Sequence, residues 1–132
     1  MHEQRLAAAR VAHLATTDAD GRPHLVPIVF AIHEATLYSA VDQKPKRSRT
    51  LRRIENARAR PNVTVLIDHY DEDWQRLWWI RLRGNARVLD NGDECERALA
   101  LLTAKYHQYR DTPPHAPVLA IDITQTRTWS AS

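Results

Sequence analysis

A chain of 132 residues, 43% apolar and 27% charged with a formal net charge of +3, has the makeup of an ordinary globular protein, long enough for one core and too short for two. One cysteine, Cys95, excludes an internal disulfide and a cysteine-rich zinc site, and three glycines cannot line a glycine-rich nucleotide cradle. No apolar run approaches the length of a membrane span, and the opening MHEQRLAAARVAHL lacks the apolar core and cleavage site of a signal peptide, so the expectation is one cytoplasmic domain over 1–132.

Glu3 to Arg10, with Leu6 and three alanines, reads as a short leading helix, and Val11 to Thr17 as a strand. Asp18-Ala19-Asp20-Gly21 carries the Asp-Gly signal of a tight hairpin into a second strand, His24 to Ile32. Pro27 cannot donate to a ladder, so that strand lies at an edge, carries a bulge, or faces a ligand there. His33-Glu34-Ala35 turns the chain into a third strand, Thr36 to Val41. A helix from about Arg49, with Leu51, Ile54 and Arg58 near one face, is ended by Pro61.

Asn62 to Asp68 alternates, with Val63, Val65 and Ile67 on one face, as a half-buried strand does. The acidic connection HYDEDWQ matches no calcium loop, because the residue order is wrong and the turn glycine is missing. Leu77 to Leu89 is a long strand bent near Gly84, in which the adjacent Trp78 and Trp79 point to opposite faces, one toward a partner or a ligand. Gly92-Asp93 opens a helix to about Tyr106, where Cys95, Leu99, Leu102 and Tyr106 recur at helical spacing, so Cys95 reads as core filler. His107 to Pro117 reads as a loop, Val118 to Ile123 as a strand, and Arg127 to Ser130 as an extension of the sheet. Strands joined mostly by hairpins predict a mainly β, α+β fold closed into a small antiparallel barrel with flanking helices.

Between the third and fourth strands lies KPKRSRTLRRIENARAR, with eight Lys or Arg residues against Glu55 alone. Runs of like charge are commonly solvated faces. Here Pro45 fixes the backbone between Lys44 and Lys46, and Arg47 precedes the start of the helix. Lys44, Lys46 and Arg47 thus cluster beside a helix N-terminus, which already favours a phosphate, and each charge-assisted hydrogen bond to one contributes about 1.5–3 kcal/mol. Dinucleotide and P-loop glycine motifs, a GxSxG elbow and an HExxH pair are all missing, and the seven histidines are scattered. Any chemistry would therefore belong to a bound cofactor that the protein orients.

GRPHLVPIVF, LYSAVDQKPKR and LWWIRLRG together resemble the pyridoxamine 5′-phosphate oxidase-like split-barrel family, and within it the actinobacterial branch of enzymes dependent on the deazaflavin coenzyme F420. The likeness runs from Arg10 to Trp129. It implies a homodimer of six-stranded split barrels with two flavin-type cofactors at the interface. By position, the backbone of Val26, Pro27, Ile28 and Val29 would run along the ring edge, with Ser39 and Ala40 near the ring and ribityl chain. Lys44, Lys46 and Arg47 would bind the phosphate, and Trp79 would reach over the ring from the other subunit.

The family's flavin mononucleotide (FMN) oxidases carry arginine at the place of Val26 and serine at that of Lys44, so pyridoxamine oxidation is not what this sequence suggests. A more basic loop, with Arg49, Arg52 and Arg53 behind it, suits the longer anionic tail of F420. The resemblance implies a reductase passing hydride to a small or planar electrophilic substrate, with Tyr38 or His24 as candidate proton donors and no metal. The alternatives are an FMN-dependent oxidase or flavin reductase, or a non-catalytic carrier of deazaflavin or haem or a nucleic-acid module; neither nucleic acid nor a membrane is an expected partner.

Overall fold

A computed structural model describes residues 2–41 and 47–132. The elements in order are α1 (His2–Ala8), β1 (Ala12–Thr17), β2 (Pro23–Ile28), β3 (Ala31–His33), β4 (Thr36–Val41), α2 (Arg47–Ala59), β5 (Asn62–His69), a 3-10 turn (Trp74–Arg76), β6 (Trp78–Leu89), α3 (Asp93–Lys105), α4 (Gln108–Asp111) and β7 (His115–Ser130). The strands form one seven-stranded antiparallel sheet in the order β2-β1-β5-β6-β7-β4-β3.

The terminal strands of that order, β2 and β3, are neighbours in sequence, separated only by Val29 and Phe30. Three Cα–Cα steps span at most about 11 Å, so the two edges must lie side by side and the sheet must curl into a barrel. The expected six-stranded barrel is therefore seven-stranded, because the run His24 to Ile32 is two strands and not one. Its break has a visible cause. The Phe30 N–H, which leaves the ladder, donates to the Tyr106 hydroxyl at 3.0 Å, and that hydroxyl lies 3.0 Å from the carbonyl oxygens of both Phe30 and Arg10. A side chain distant in sequence thus satisfies backbone groups that a neighbouring strand would otherwise have to satisfy.

Alternate residues fill the barrel: Leu14 of β1, Ile28 of β2, Leu37 of β4, Val63, Val65 and Ile67 of β5, Ile80 and Leu82 of β6, and Leu119 and Ile121 of β7, joined by Phe30. Each fully buried aliphatic or aromatic side chain contributes roughly 1.5–3 kcal/mol through removal from water. The helix α2 adds Ile54 and Ala57 to this core. Its polar residue Asn56, also buried, donates to Thr16 Oγ1 at 3.1 Å. Arg58 is exposed and pairs with Asp90 at 3.2 Å.

A second apolar cluster covers the outside of β4 and β7, where Ala98, Leu102 and Cys95 of α3 meet Tyr38, Ala40, Val118 and Ala120. Cys95 is core filler, as its spacing suggests, and burial pushes its thiol up.

Several sequence boundaries move. The stretch read as a loop, His107 to Pro117, contains α4 and the start of β7, and Val118 to Ile123 and its extension at Arg127 to Ser130 belong to one continuous strand. The register between β6 and β7 shifts between Arg83 and Gly84, so that Arg83 faces Gln125 and Gly84 faces Ile123, leaving Thr124 as the extra residue. Thr124 Oγ1 donates to the Arg83 carbonyl at 3.2 Å. The extra residue of this bulge lies on β7, opposite the Gly84 region of β6.

Candidate functional site

The pocket at the seam of the barrel brings together much of what the sequence nominates. It has a volume of about 220 Å³ and is lined by Val11, Pro27, Ile28, Val29, Ser39, Ala40 and Arg53. Among the described strands β2 pairs with β1 alone, so its other edge is unpaired and Pro27 sits on a true edge strand. On the opposite wall, Ser39 and Ala40 are held on β4 by their pairing with Leu119 and Val118, and both are buried. Arg53, considered in the sequence only as a charge behind the loop, stands in the pocket wall itself, half-buried on α2.

The other nominated residues divide into three groups. Val26 is not in the pocket wall; it pairs with Leu14 and packs against the barrel core, so its backbone and not its side chain is available at the edge. Lys44 and Lys46 lie outside the described residues, as does the side chain of Arg47. Trp79 shares the outer face of the sheet with Pro27, since Pro27, His13, Leu66 and Arg81 form one cross-strand row and Trp79 is two residues from Arg81. Three strand spacings put it roughly 14 Å or more from Pro27, too far to close the same pocket within one chain.

The tryptophan pair does split as the strand period requires. Trp78 packs toward the core, stacks on His69 with centroids 5.8 Å apart, and receives the Arg5 guanidinium at 4.9 Å. Trp79 lies outside, with the Arg81 guanidinium 5.4 Å from its ring. The acidic connection before them is a turn held by its own carboxylates: Asp71 Oδ1 accepts from Asp73 N at 2.8 Å and Asp73 Oδ1 from Gln75 N at 3.1 Å.

Neither proposed proton donor lines the pocket. The Tyr38 hydroxyl donates to Glu94 Oε2 at 2.7 Å, and burial, reinforced by that carboxylate, raises its pKa. His24 lies on β2 opposite Thr16, with a buried Nδ1 that has no hydrogen-bond partner among the described residues.

Sequence reasoning missed a charged cluster on the α3 side. Arg87 Nε and Nη2 donate to Asp122 at 2.7 and 2.9 Å, and Nη1 and Nη2 donate to Glu94 at 2.8 Å each. Thr36 adds a hydrogen bond to Asp122 at 3.1 Å. The Arg87 guanidinium, helped by the Tyr38 hydroxyl, holds the Glu94 carboxyl at about 2. The cluster ties β4, β6, α3 and β7 together and is structural.

Among solved structures the fold is similar to that of a conserved hypothetical protein from Mycobacterium tuberculosis, with a TM-score of 0.77 and 20% identity over 99% of this chain and 86% of that one. It is similar too to HutZ, the heme storage protein of Vibrio cholerae, with a TM-score of 0.74 and 14% identity over 98% and 92%. A FAD-binding protein of Mesorhizobium loti gives a TM-score of 0.70 and 24% identity over 96% and 89%. No curated protein matches the sequence. The family model described as pyridoxamine 5′-phosphate oxidase matches residues 1–130, and the chain belongs to that family.

Proposed function

We propose that the seam pocket holds one edge of a flavin-type tricyclic cofactor, and that the chain is an F420-dependent oxidoreductase acting on a small or planar electrophilic substrate. The observation that carries this reading is the meeting of an apolar strand edge, Pro27 to Val29, unpaired among the described strands, with Ser39, Ala40 and Arg53 in the wall of one pocket. The edge offers backbone groups to a planar ring, the Ser39 hydroxyl donates or accepts, and Arg53 suits a phosphate or carboxylate on the tail. Lys44, Lys46 and Arg47 extend that basic character along the sequence.

At about 220 Å³ the pocket falls below the roughly 300–1,000 Å³ of complete small-molecule sites, so one chain supplies only part of the site. A second copy would supply the rest. The outer sheet face that carries Pro27 and Trp79 also carries Leu25, 67% exposed, and Trp129, 44% exposed, an apolar surface suited to burial in a homodimer. Trp79 would then reach the partner's pocket. When bound, a deazaflavin supplies a two-electron hydride, so the chain needs to align the substrate and exclude water, not to present an acid or base at the reacting carbon. Tyr38, committed to Glu94, is not a donor in this reading.

FMN is the second reading, favoured by the family's oxidase description and by the FAD-binding structural neighbour. Titration of the protein with F420 and separately with FMN, followed by tryptophan fluorescence, tests both, with Arg53→Ala and Lys44→Ala/Lys46→Ala variants. F420 binding that each variant weakens tenfold or more supports the proposal. Tighter FMN binding replaces F420 with FMN, and binding of neither overturns the cofactor reading. Light scattering checks the dimer.

A further inference from the structure

A second cavity shares no residue with the seam pocket. It has a volume of about 770 Å³, within the range that holds drug-sized ligands. Its walls come from α1, the β3–β4 hairpin, β6, α3 and β7, and they are largely apolar: Leu6, Ala31, Leu82, Leu101 and Ile123. Of the charged residues that line it, Glu3 and Glu34 are exposed and Lys105, at the end of α3, is half-buried.

The surroundings of Lys105 are unusual for a lysine. Its Nζ lies 3.8 Å from the centroid of the Phe30 ring and 5.4 Å from that of Tyr106, and among the described residues its one oxygen partner is the Leu6 carbonyl at 3.4 Å. Among the described residues no carboxylate lies within ion-pair distance of it. Another cation, Arg10, acts on it: its Nη1 donates to the Lys105 carbonyl at 2.7 Å and its charge opposes that of the ammonium. Burial, with Arg10 adding to it, pushes the ammonium down to about 8. An ammonium has three N–H donors; the Leu6 carbonyl takes one and the Phe30 face another, which leaves capacity for an anion.

We propose that this cavity binds a small amphipathic monocarboxylate, its hydrocarbon body against Leu6, Leu82, Leu101 and Ile123 and its carboxylate paired with Lys105. The charge complementarity is local and single. Glu3 and Glu34, both exposed, also line the cavity and repel ligands carrying several negative charges, which selects one carboxylate over a phosphate or a polyacid.

Octanoate is the probe, with octan-1-ol as its uncharged counterpart, measured by isothermal titration calorimetry on the full chain. The expected result is saturable octanoate binding at least tenfold tighter than that of the alcohol. Lys105→Met, which keeps the stem and removes the charge, should abolish that preference. Ala104→Trp, at an exposed position in the cavity wall, should block octanoate without depending on Lys105, so the proposal stays testable if the methionine variant does not fold. Equal binding of acid and alcohol overturns it, and so does octanoate binding that survives Ala104→Trp. Binding of neither probe, as when a second copy closes the cavity, overturns it too.

Discussion

Replacing Glu94 with glutamine tests the claim that the Arg87 cluster is a structural tie between β4, β6, α3 and β7. The variant keeps the shape of the side chain and its capacity to accept from Tyr38, but removes the charge that Arg87 grips with two hydrogen bonds of 2.8 Å. The Glu94 carboxyl is held at about 2 against its ordinary 4.5, a gap that in a fully shielded group would correspond to about 3 kcal/mol. The Glu94 side chain is 30% exposed and that of Arg87 41%, so solvent screening reduces the expected contribution to about 1–2 kcal/mol. The sign follows from linkage. A carboxyl depressed in the folded state stabilises above its unfolded value and loses that stabilisation as pH falls through the folded one, here between about 4.5 and about 2. Urea unfolding at steps from pH 7 to pH 2.5 should show Glu94→Gln about 1–2 kcal/mol less stable at neutral pH, the deficit shrinking through that window. A deficit that stays constant with pH would mean that packing, not the ion pair, is what the substitution disturbs.

At Gly84 the space beside the backbone is already taken: a Cβ there would meet the Asp122 carbonyl oxygen and Ile121 Cγ2 at 2.8 Å. The obstacle is mainly backbone of the paired strand, so Gly84→Ala should cost about 1–3 kcal/mol or more and lower Tm by several degrees in thermal unfolding. Tyr106→Phe leaves the buried Phe30 N–H without its acceptor and should cost about 1–3 kcal/mol in urea unfolding, with faster amide exchange around residues 29–31.

Most of the sheet was legible because its signals are local. The hairpin at Asp18 to Gly21 forms as its residues suggest, with Asp18 Oδ1 accepting from the backbone of Asp20 and Arg22 and Gly21 at a φ of 79°. The alternation of Val63, Val65 and Ile67 and the spacing of Cys95 and Leu102 report burial directly. What stayed hidden depends on partners far apart in the chain. The apolar run from His24 to Ile32 has no punctuation at Val29 and Phe30; the partner that replaces the ladder there is Tyr106, which in sequence is one more core position of a helix. Arg87, Glu94 and Asp122 come from three elements with no common spacing. Lys105 reads as an ordinary basic residue in the last turn of a helix, and only the fold places it against Phe30.

The break at Val29 and Phe30 also accounts for where the seam pocket lies. In a closed ladder β2 would be paired along both edges, and its backbone would have nothing left to offer a ligand. Because the chain instead leaves β2 at Ile28 and rejoins the sheet as β3 on the far side, β2 approaches β4 without a described pairing between them. Pro27 fits this arrangement, since a residue without an N–H is tolerated where no partner strand needs one. The Tyr106 hydroxyl, by satisfying the backbone at Phe30, allows the barrel to close in sequence while remaining open along this seam. Helix α2 then brings Arg53 to that opening, so that an apolar edge and a basic residue share the gap that closure leaves.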